Sequence, residues 1–212
     1  MEFTKENIAL IRDIIAIIGF PLIVYRLWIL KSTFEQDHEN KRNSKAVDLI
    51  KDWTKSLNSK SSTARKLVET FDQQQCIKLN KQETFEIEDS ESNKKYFKVI
   101  FESEPTAANS KISIDYENSS KLRWEIITYL NTLESILTAY RHNVADREIL
   151  KEQFTYLVKP EENHYVLAEF RKASGDKNYP AILDFAEELK NDMNKNNNGK
   201  PKTGRLWGWK KK

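Results

Sequence analysis

An apolar run near the start, Ile8 to Leu30, constrains this 212-residue chain more than any other feature: IALIRDIIAIIGFPLIVYRLWIL, interrupted only by Arg12, Asp13 and Arg26. Its centre, Ile14 to Tyr25, carries no charge. As one helix the run would be roughly 34 Å long at about 1.5 Å per residue, enough to cross a hydrocarbon core of roughly 30 Å. The uncharged centre alone is too short, so the flanks must contribute. Arg26 can extend its guanidinium toward the headgroups, and Tyr25 and Trp28 suit the interfacial belt. A cleavable signal peptide fits poorly, because the chain begins Met-Glu-Phe-Thr-Lys-Glu and Arg-Leu-Trp-Ile-Leu-Lys closes the run. A surface-lying helix would need a polar face that the centre lacks. A buried core helix is the remaining alternative, and the reading taken is a transmembrane anchor over residues 1–30.

Orientation follows from the basic flanks. Lys31, Lys41, Arg42 and Lys45 lie on the C-terminal side with Arg26 at the edge, against Lys5 and Arg12 on the other side. That asymmetry places the bulk of the protein in the cytoplasm. Within the run, Pro21 has no N–H to donate to the Ile17 carbonyl and Gly19 precedes it, so a kink is expected there.

The rest reads as one mainly α-helical domain over residues 31–190. With 32% charged residues and a mean hydropathy of -0.71, the chain as a whole averages like a water-facing protein, which confines any membrane segment to a small part of it. A polar stretch after Lys31 leads without a breaker into Ala46, Val47, Ile50, Trp53 and Leu57 at helical spacing, so the anchor helix is expected to run on as a stalk. Ser61 or Ser62 is placed to cap a helix carrying Ala64, Leu67, Val68 and Phe71. Ile126, Leu130, Leu133, Leu137 and Tyr140 recur at steps of four and three, the mark of a core helix. Asp146 opens a helix with Ile149, Leu150, Phe154 and Leu157, a further one holds Tyr165, Val166, Leu167 and Phe170, and Pro180 starts the last. Between residues 81 and 118 the alternation of Tyr96, Lys98, Ile100 and then Ile112, Ile114, Tyr116 predicts a small β-hairpin insert.

The formal charge of +3 conceals a division. Lys200, Lys202, Arg205, Lys210, Lys211 and Lys212 sit near the C-terminus with no acid after Asp192, and without those six cations the remainder carries -3. Residues 191–212 are asparagine- and lysine-rich, which predicts a flexible basic tail. It ends in Arg-Leu-Trp-Gly-Trp-Lys-Lys-Lys, so Trp207, Trp209, Lys210, Lys211 and Lys212 join Arg26 and Trp28 as candidate membrane-interface residues. The same tail could instead stack on bases and neutralise phosphates, which keeps nucleic-acid binding as an alternative reading.

No chemical signature emerges. Five scattered glycines do not build a nucleotide-cradling loop, and His38, His142 and His164 are far apart with no H-E-x-x-H pattern and no zinc spacing to Cys76. No catalytic, cofactor or metal residue is assigned, and an enzyme with an unrecognised site stays as an alternative. The lone Cys76 reads as a core thiol. Glu134, near Asn131, is expected to pin neighbouring helices by pairing with Arg171 or Arg141, since a lone carboxylate specifies no reaction. Val47, Ile50, Trp53 and Leu57, with Ala9, Ala16 and Gly19 in the span, are candidate self-association positions.

The stretch YLNTLESILTAYRHNVADREILKEQF, the helix ending in FRK and NYPAILDFAEEL together resemble the bacterial domain-of-unknown-function family numbered 4760, with Asn131, Glu134, Arg141 and Asp146 at the matching positions. The resemblance implies a bacterial source, helical architecture and a single N-terminal membrane helix. It implies no activity. The expectation from residues and resemblance together is a single-pass interaction or effector protein of the bacterial inner membrane, assembling with itself or with a protein partner. The layout is similar to that of small membrane effectors in phage defence.

Overall fold

In the computed structural model of the chain, residues 5–159 and 164–198 are described, with the side chains of the first helix from Pro21 onward. Eight α-helices and two small sheets make up the described residues. Helix α1, Lys5–Ser56, is a single helix of 52 residues with Pro21 inside it. From Pro21 to Lys41 it is exposed, and its C-terminal part enters the domain, where Ala46 and Trp53 are buried.

The chain then turns at Leu57 and Asn58. The Asn58 carboxamide oxygen accepts from the Ser61 backbone N–H at 2.6 Å and opens α2, Ser59–Val68, so the cap lies a turn before the expected Ser61 or Ser62. Phe71 falls in the loop after α2. A reciprocal capping box between Asp72 and Gln75 starts α3, Gln73–Lys81.

Residues 81–118 contain a three-stranded antiparallel sheet that includes a hairpin, Ala107–Ala108 with Lys111–Ile114, though its first strand is not the expected one around Tyr96 to Ile100. Strand β1, Phe85–Glu88, pairs antiparallel with β3, Lys111–Ile114, with Phe85 opposite Ile114 and Ile87 opposite Ile112. The short β2, Ala107–Ala108, joins the other edge of β3. Ile112 and Ile114 alternate as expected, while Tyr96, Lys98 and Ile100 lie in α4, Glu91–Phe101. There the real spacing is that of Tyr96, Phe97, Ile100 and Phe101 on one helix face, and the Ser90 hydroxyl caps the helix by accepting from the Asn93 N–H at 3.1 Å. Tyr116 is the first residue of a helix, not the end of a strand.

Helix α5, Tyr116–Arg141, is the axis of the core. It buries Leu122, Ile126, Leu130, Leu133, Leu137 and Tyr140 among others, and α1, α2, α3 and the C-terminal helix pack against it. Asp146 caps α6, Arg147–Phe154, through its bond from the Ile149 N–H. The expected helix around Tyr165 is displaced. Tyr165 belongs to β5, His164–Tyr165, which pairs with β4, Val158–Lys159, and Val166 and Leu167 then adopt left-handed backbone angles with φ of 47° and 55°. Only after this turn does α7, Ala168–Ser174, begin.

Helix α8, Pro180–Asn198, starts at the expected proline but runs eight residues into the segment expected to be a flexible tail. Asp192 explains part of the extension, since its carboxylate accepts from the Lys151 ammonium at 2.6 Å and ties this stretch to α6. Residues 199–212, with Trp207, Trp209 and Lys210 to Lys212, lie outside the described residues.

Candidate functional site

The candidate interface is the free half of α1. From Leu22 to Leu30 the large apolar side chains are all solvent-exposed, from 40% for Ile29 to 65% for Trp28. These positions cover more than two full turns, so they cannot form a single stripe awaiting a partner on one side. Tyr25 and Trp28 stack along the helix with ring centroids 6.4 Å apart and planes 24° apart, and Arg26 is exposed beside them. A helix apolar on every side is at home where all its surroundings are apolar. Pro21 to Leu30 has no such surroundings within this domain, so this part of the run is not a core helix.

Among the described residues no helix is long and apolar enough to cross a membrane. Ile8 to Phe20, more than half of the apolar run, carry no described side chains, so the expected span falls largely outside that statement.

Beyond Leu30 the helix turns polar while remaining exposed as far as Lys41. Lys31 pairs with Glu35 at 3.8 Å and Lys41 with Asp37 at 2.8 Å, one turn apart in each case. Exposed pairs of this kind are screened by solvent and add little to helix stability. No Gly or Pro occurs between Leu22 and Ser56, so nothing in the backbone chemistry interrupts the rod. Where it meets the domain, the Arg42 carbonyl accepts from the Asp146 N–H at 3.1 Å.

The self-association candidates divide once the domain is seen. Trp53 is 2% exposed and packs edge-on against Tyr129 and Phe154, with centroids 5.2 and 5.5 Å away. Ile50 and Leu57 are half-buried against the same core. These three face the chain's own α5 and α6, because the periodicity that resembled an interhelical seam is the docking face of α1. Val47 alone of the four remains exposed.

The polar candidates also take different partners from those expected. Glu134 pairs with neither Arg171 nor Arg141. Its two carboxylate oxygens accept from the backbone N–H groups of Ala181 and Ile182 at 2.8 and 3.0 Å, capping α8 from the side of α5. Pro180 precedes those two donors, and the first-turn N–H groups of a helix have no partner inside it, so a carboxylate from a neighbouring element meets the need. Arg141 reaches Asp184 at 2.9 Å. Arg171 is buried, and its Nε donates to the Val166 carbonyl at 3.0 Å, holding the left-handed turn before α7. Asn131 is exposed on α5.

A denser polar cluster joins α5, α6 and α8. Glu188 accepts from Tyr140 at 2.8 Å, Arg147 at 2.7 Å and Lys151 at 3.1 Å, and the Arg147 guanidinium lies 4.4 Å from the Tyr140 ring centroid. Burial pushes the Glu188 carboxyl up, but the hydrogen bonds from Tyr140 and Lys151 and the charges of Arg147 and Lys151 outweigh it and hold the group below its ordinary value. Every partner lies on a helix whose packing the cluster secures. Cys76 is fully buried, and burial, followed by the nearby Glu169 and Asp72 charges, pushes its thiol up to about 12. Its place is that of a small apolar side chain in the core. Among the described residues no group of three or more His, Cys, Asp or Glu side chains is arranged to hold a metal ion.

Three described cavities remain. Two are small, about 110 Å³ beside Glu69 and Glu169 and about 180 Å³ beside Asp72 and Asn93. The third, about 360 Å³, lies between α2, α4 and α5 and is lined by Lys60, Ile100, Ser120, Lys121, Trp124 and Glu125. Sequence reasoning passed over it. The available signal was Trp124, two positions from both Leu122 and Ile126 and so on the face of α5 opposite the buried stripe, a large aromatic with no place in the core.

No family model, curated protein or solved structure matches this chain.

Proposed function

We propose that the chain is a single-pass, non-enzymatic interaction protein of the bacterial inner membrane, anchored by Ile8 to Leu30 with its helical domain in the cytoplasm. The carrying observation is the exposure of the apolar side chains around the whole circumference of α1 from Leu22 to Leu30. Burying an exposed leucine or isoleucine is worth roughly 1.5–3 kcal/mol, so this stretch alone supplies a strong drive into an apolar phase. The basic flank from Lys31 to Lys45 supports the cytoplasmic orientation. Helix packing and a clamp of ion pairs account for the buried and paired polar groups described above, which supports a binding role over a chemical one. Phage defence is the process to which the proposal extends, on layout alone, and plating efficiency of phages on expressing cells checks it.

The anchor is tested by fractionation of the full chain and of a variant lacking residues 1–31. The full chain should remain in the membrane pellet through alkaline and high-salt washes and leave only with detergent. The truncated chain should fractionate as a folded helical protein in the supernatant. Extraction of the full chain by salt alone would overturn the reading, as would a truncated chain that fails to fold.

A further inference from the structure

We propose that the cavity between α2, α4 and α5 is a binding site for a planar anion of mononucleotide size, its heterocycle stacked on Trp124 and its phosphate held between Lys60 and Lys121. At about 360 Å³ it falls within the size range of small-molecule sites, roughly 300–1,000 Å³. Its parts are those such a ligand requires. Ile100, nearly buried, gives an apolar floor, and Trp124 is 70% exposed on the wall with its ring uncommitted to the core. Lys60 on α2 and Lys121 on α5 bring two ammonium groups to the lining from different elements.

Both lysines have partners, but replaceable ones. Lys60 pairs with Glu102 and Lys121 with Glu117, each at 2.7 Å, and both glutamates are well exposed and lie outside the cavity lining. Surface pairs of this kind contribute little, so a phosphate, with more charge and more acceptor oxygens, displaces them readily. Glu125 is the one acid in the lining, and its carboxylate already accepts from the Ser61 hydroxyl at 2.5 Å. It therefore lies on the α2 side, where it repels a misplaced phosphate and leaves an acceptor for a ring amine. A heterocycle on an exposed aromatic gains about 1–3 kcal/mol by alanine substitution, which is roughly a 5- to 150-fold change in affinity.

The site also has a defined position. The Arg42 contact with Asp146, the Trp53 contact with Tyr129 and the Ser61 bond to Glu125 run α1 antiparallel to α5, so the cavity sits at the end of the domain opposite the entry of the stalk. If the anchor reading holds, the site faces the cytosol; the site itself does not depend on that reading.

The test uses the full chain in a neutral detergent, titrated with adenosine monophosphate, adenosine and inorganic phosphate, and followed by tryptophan fluorescence and calorimetry. Adenosine monophosphate should quench fluorescence saturably, bind at least about tenfold more tightly than adenosine or phosphate alone, and weaken as salt rises. Trp124→Ala, an exposed position whose loss does not open the core, should reduce affinity at least about tenfold, and Lys60→Ala or Lys121→Ala about threefold or more each. Absence of saturable binding to about ten millimolar nucleotide would overturn the proposal, since weaker binding leaves less than roughly 3 kcal/mol of free energy. Equal binding of adenosine and its monophosphate would do the same, as would binding that survives Trp124→Ala or disappears when residues 199–212 are removed, because the basic tail would then be the site. These outcomes are independent of membrane extraction, so this proposal and the anchor fail separately.

Discussion

Two oxygens of Glu134 fix where α8 begins, and the consequence is measurable because each oxygen meets its own backbone donor. Glu134→Ala leaves the N–H groups of two buried residues, Ala181 and Ile182, without that acceptor and should destabilise the domain by about 1–2 kcal/mol, the usual loss for a removed helix cap. Glu134→Gln, which retains one acceptor, should lose less; denaturant midpoints of the three proteins give the comparison. Glu188 carries a pH signature. Its folded-state value lies below the ordinary 4.5, so the unfolded chain takes up its proton first as pH falls. The contribution is complete above the ordinary value and is lost as pH drops through the folded one. Melting temperature should therefore fall on acidification below about pH 4.5, and the fall should be shallower in Glu188→Gln than in the parent.

At the scale of elements, α1 performs two tasks that its sequence presents as one pattern. Trp53 belongs to the core, so Trp53→Ala should destabilise by about 3–5 kcal/mol, whereas Val47→Ala, on the exposed face, should stay within about 0.5 kcal/mol by thermal or chemical unfolding. The apolar spacing of Ala46, Ile50, Trp53 and Leu57 was legible as a helix, but not its partner, because a face that docks on its own domain and one that docks on a second copy follow the same period. Apart from its first turn, where Tyr116 reads as the end of a strand, helix α5 was legible, since its Ile126 to Tyr140 stripe is long and its neighbours are polar. The region from Lys81 to Asn118 was not. Period two and period 3.6 share residues over short stretches, and Tyr96 with Ile100 satisfies both; Ser90 as a helix cap was the feature that separates them. The left-handed turn at Val166 and Leu167 had no local signal, because a valine there is held by tertiary contacts such as the Arg171 bond rather than by its own preference. Of the site residues, Glu134 was legible as a structural carboxylate but not as a cap, since backbone N–H groups leave no trace in side-chain patterns.

For the whole molecule, the end at which the stalk enters also bears on the tail. Glu134 meets the start of α8 and Tyr140 meets Glu188, so α8 runs alongside α5 in the same sense, toward the end of the domain where Arg42 contacts Asp146. Helix α8 thus points toward the stalk end of the domain, and on the proposed anchoring that direction supports a membrane role for Trp207, Trp209 and Lys210 to Lys212. A peptide of residues 191–212 should show blue-shifted, intensified tryptophan fluorescence with anionic vesicles and much less with neutral ones or in high salt. Stronger binding to single-stranded nucleic acid than to vesicles would assign the tail to the alternative partner. The unbroken backbone from Leu22 to Ser56 has a further consequence: compass bearing. A stiff helix of roughly 50 Å transmits twist, so each residue inserted into the stalk should swing the domain by about 100° around the axis while lifting it only about 1.5 Å. On the proposed anchoring, the stalk couples the direction of the Trp124 wall to the azimuth of the membrane helix, so copies paired through that helix would present their walls in a fixed mutual orientation.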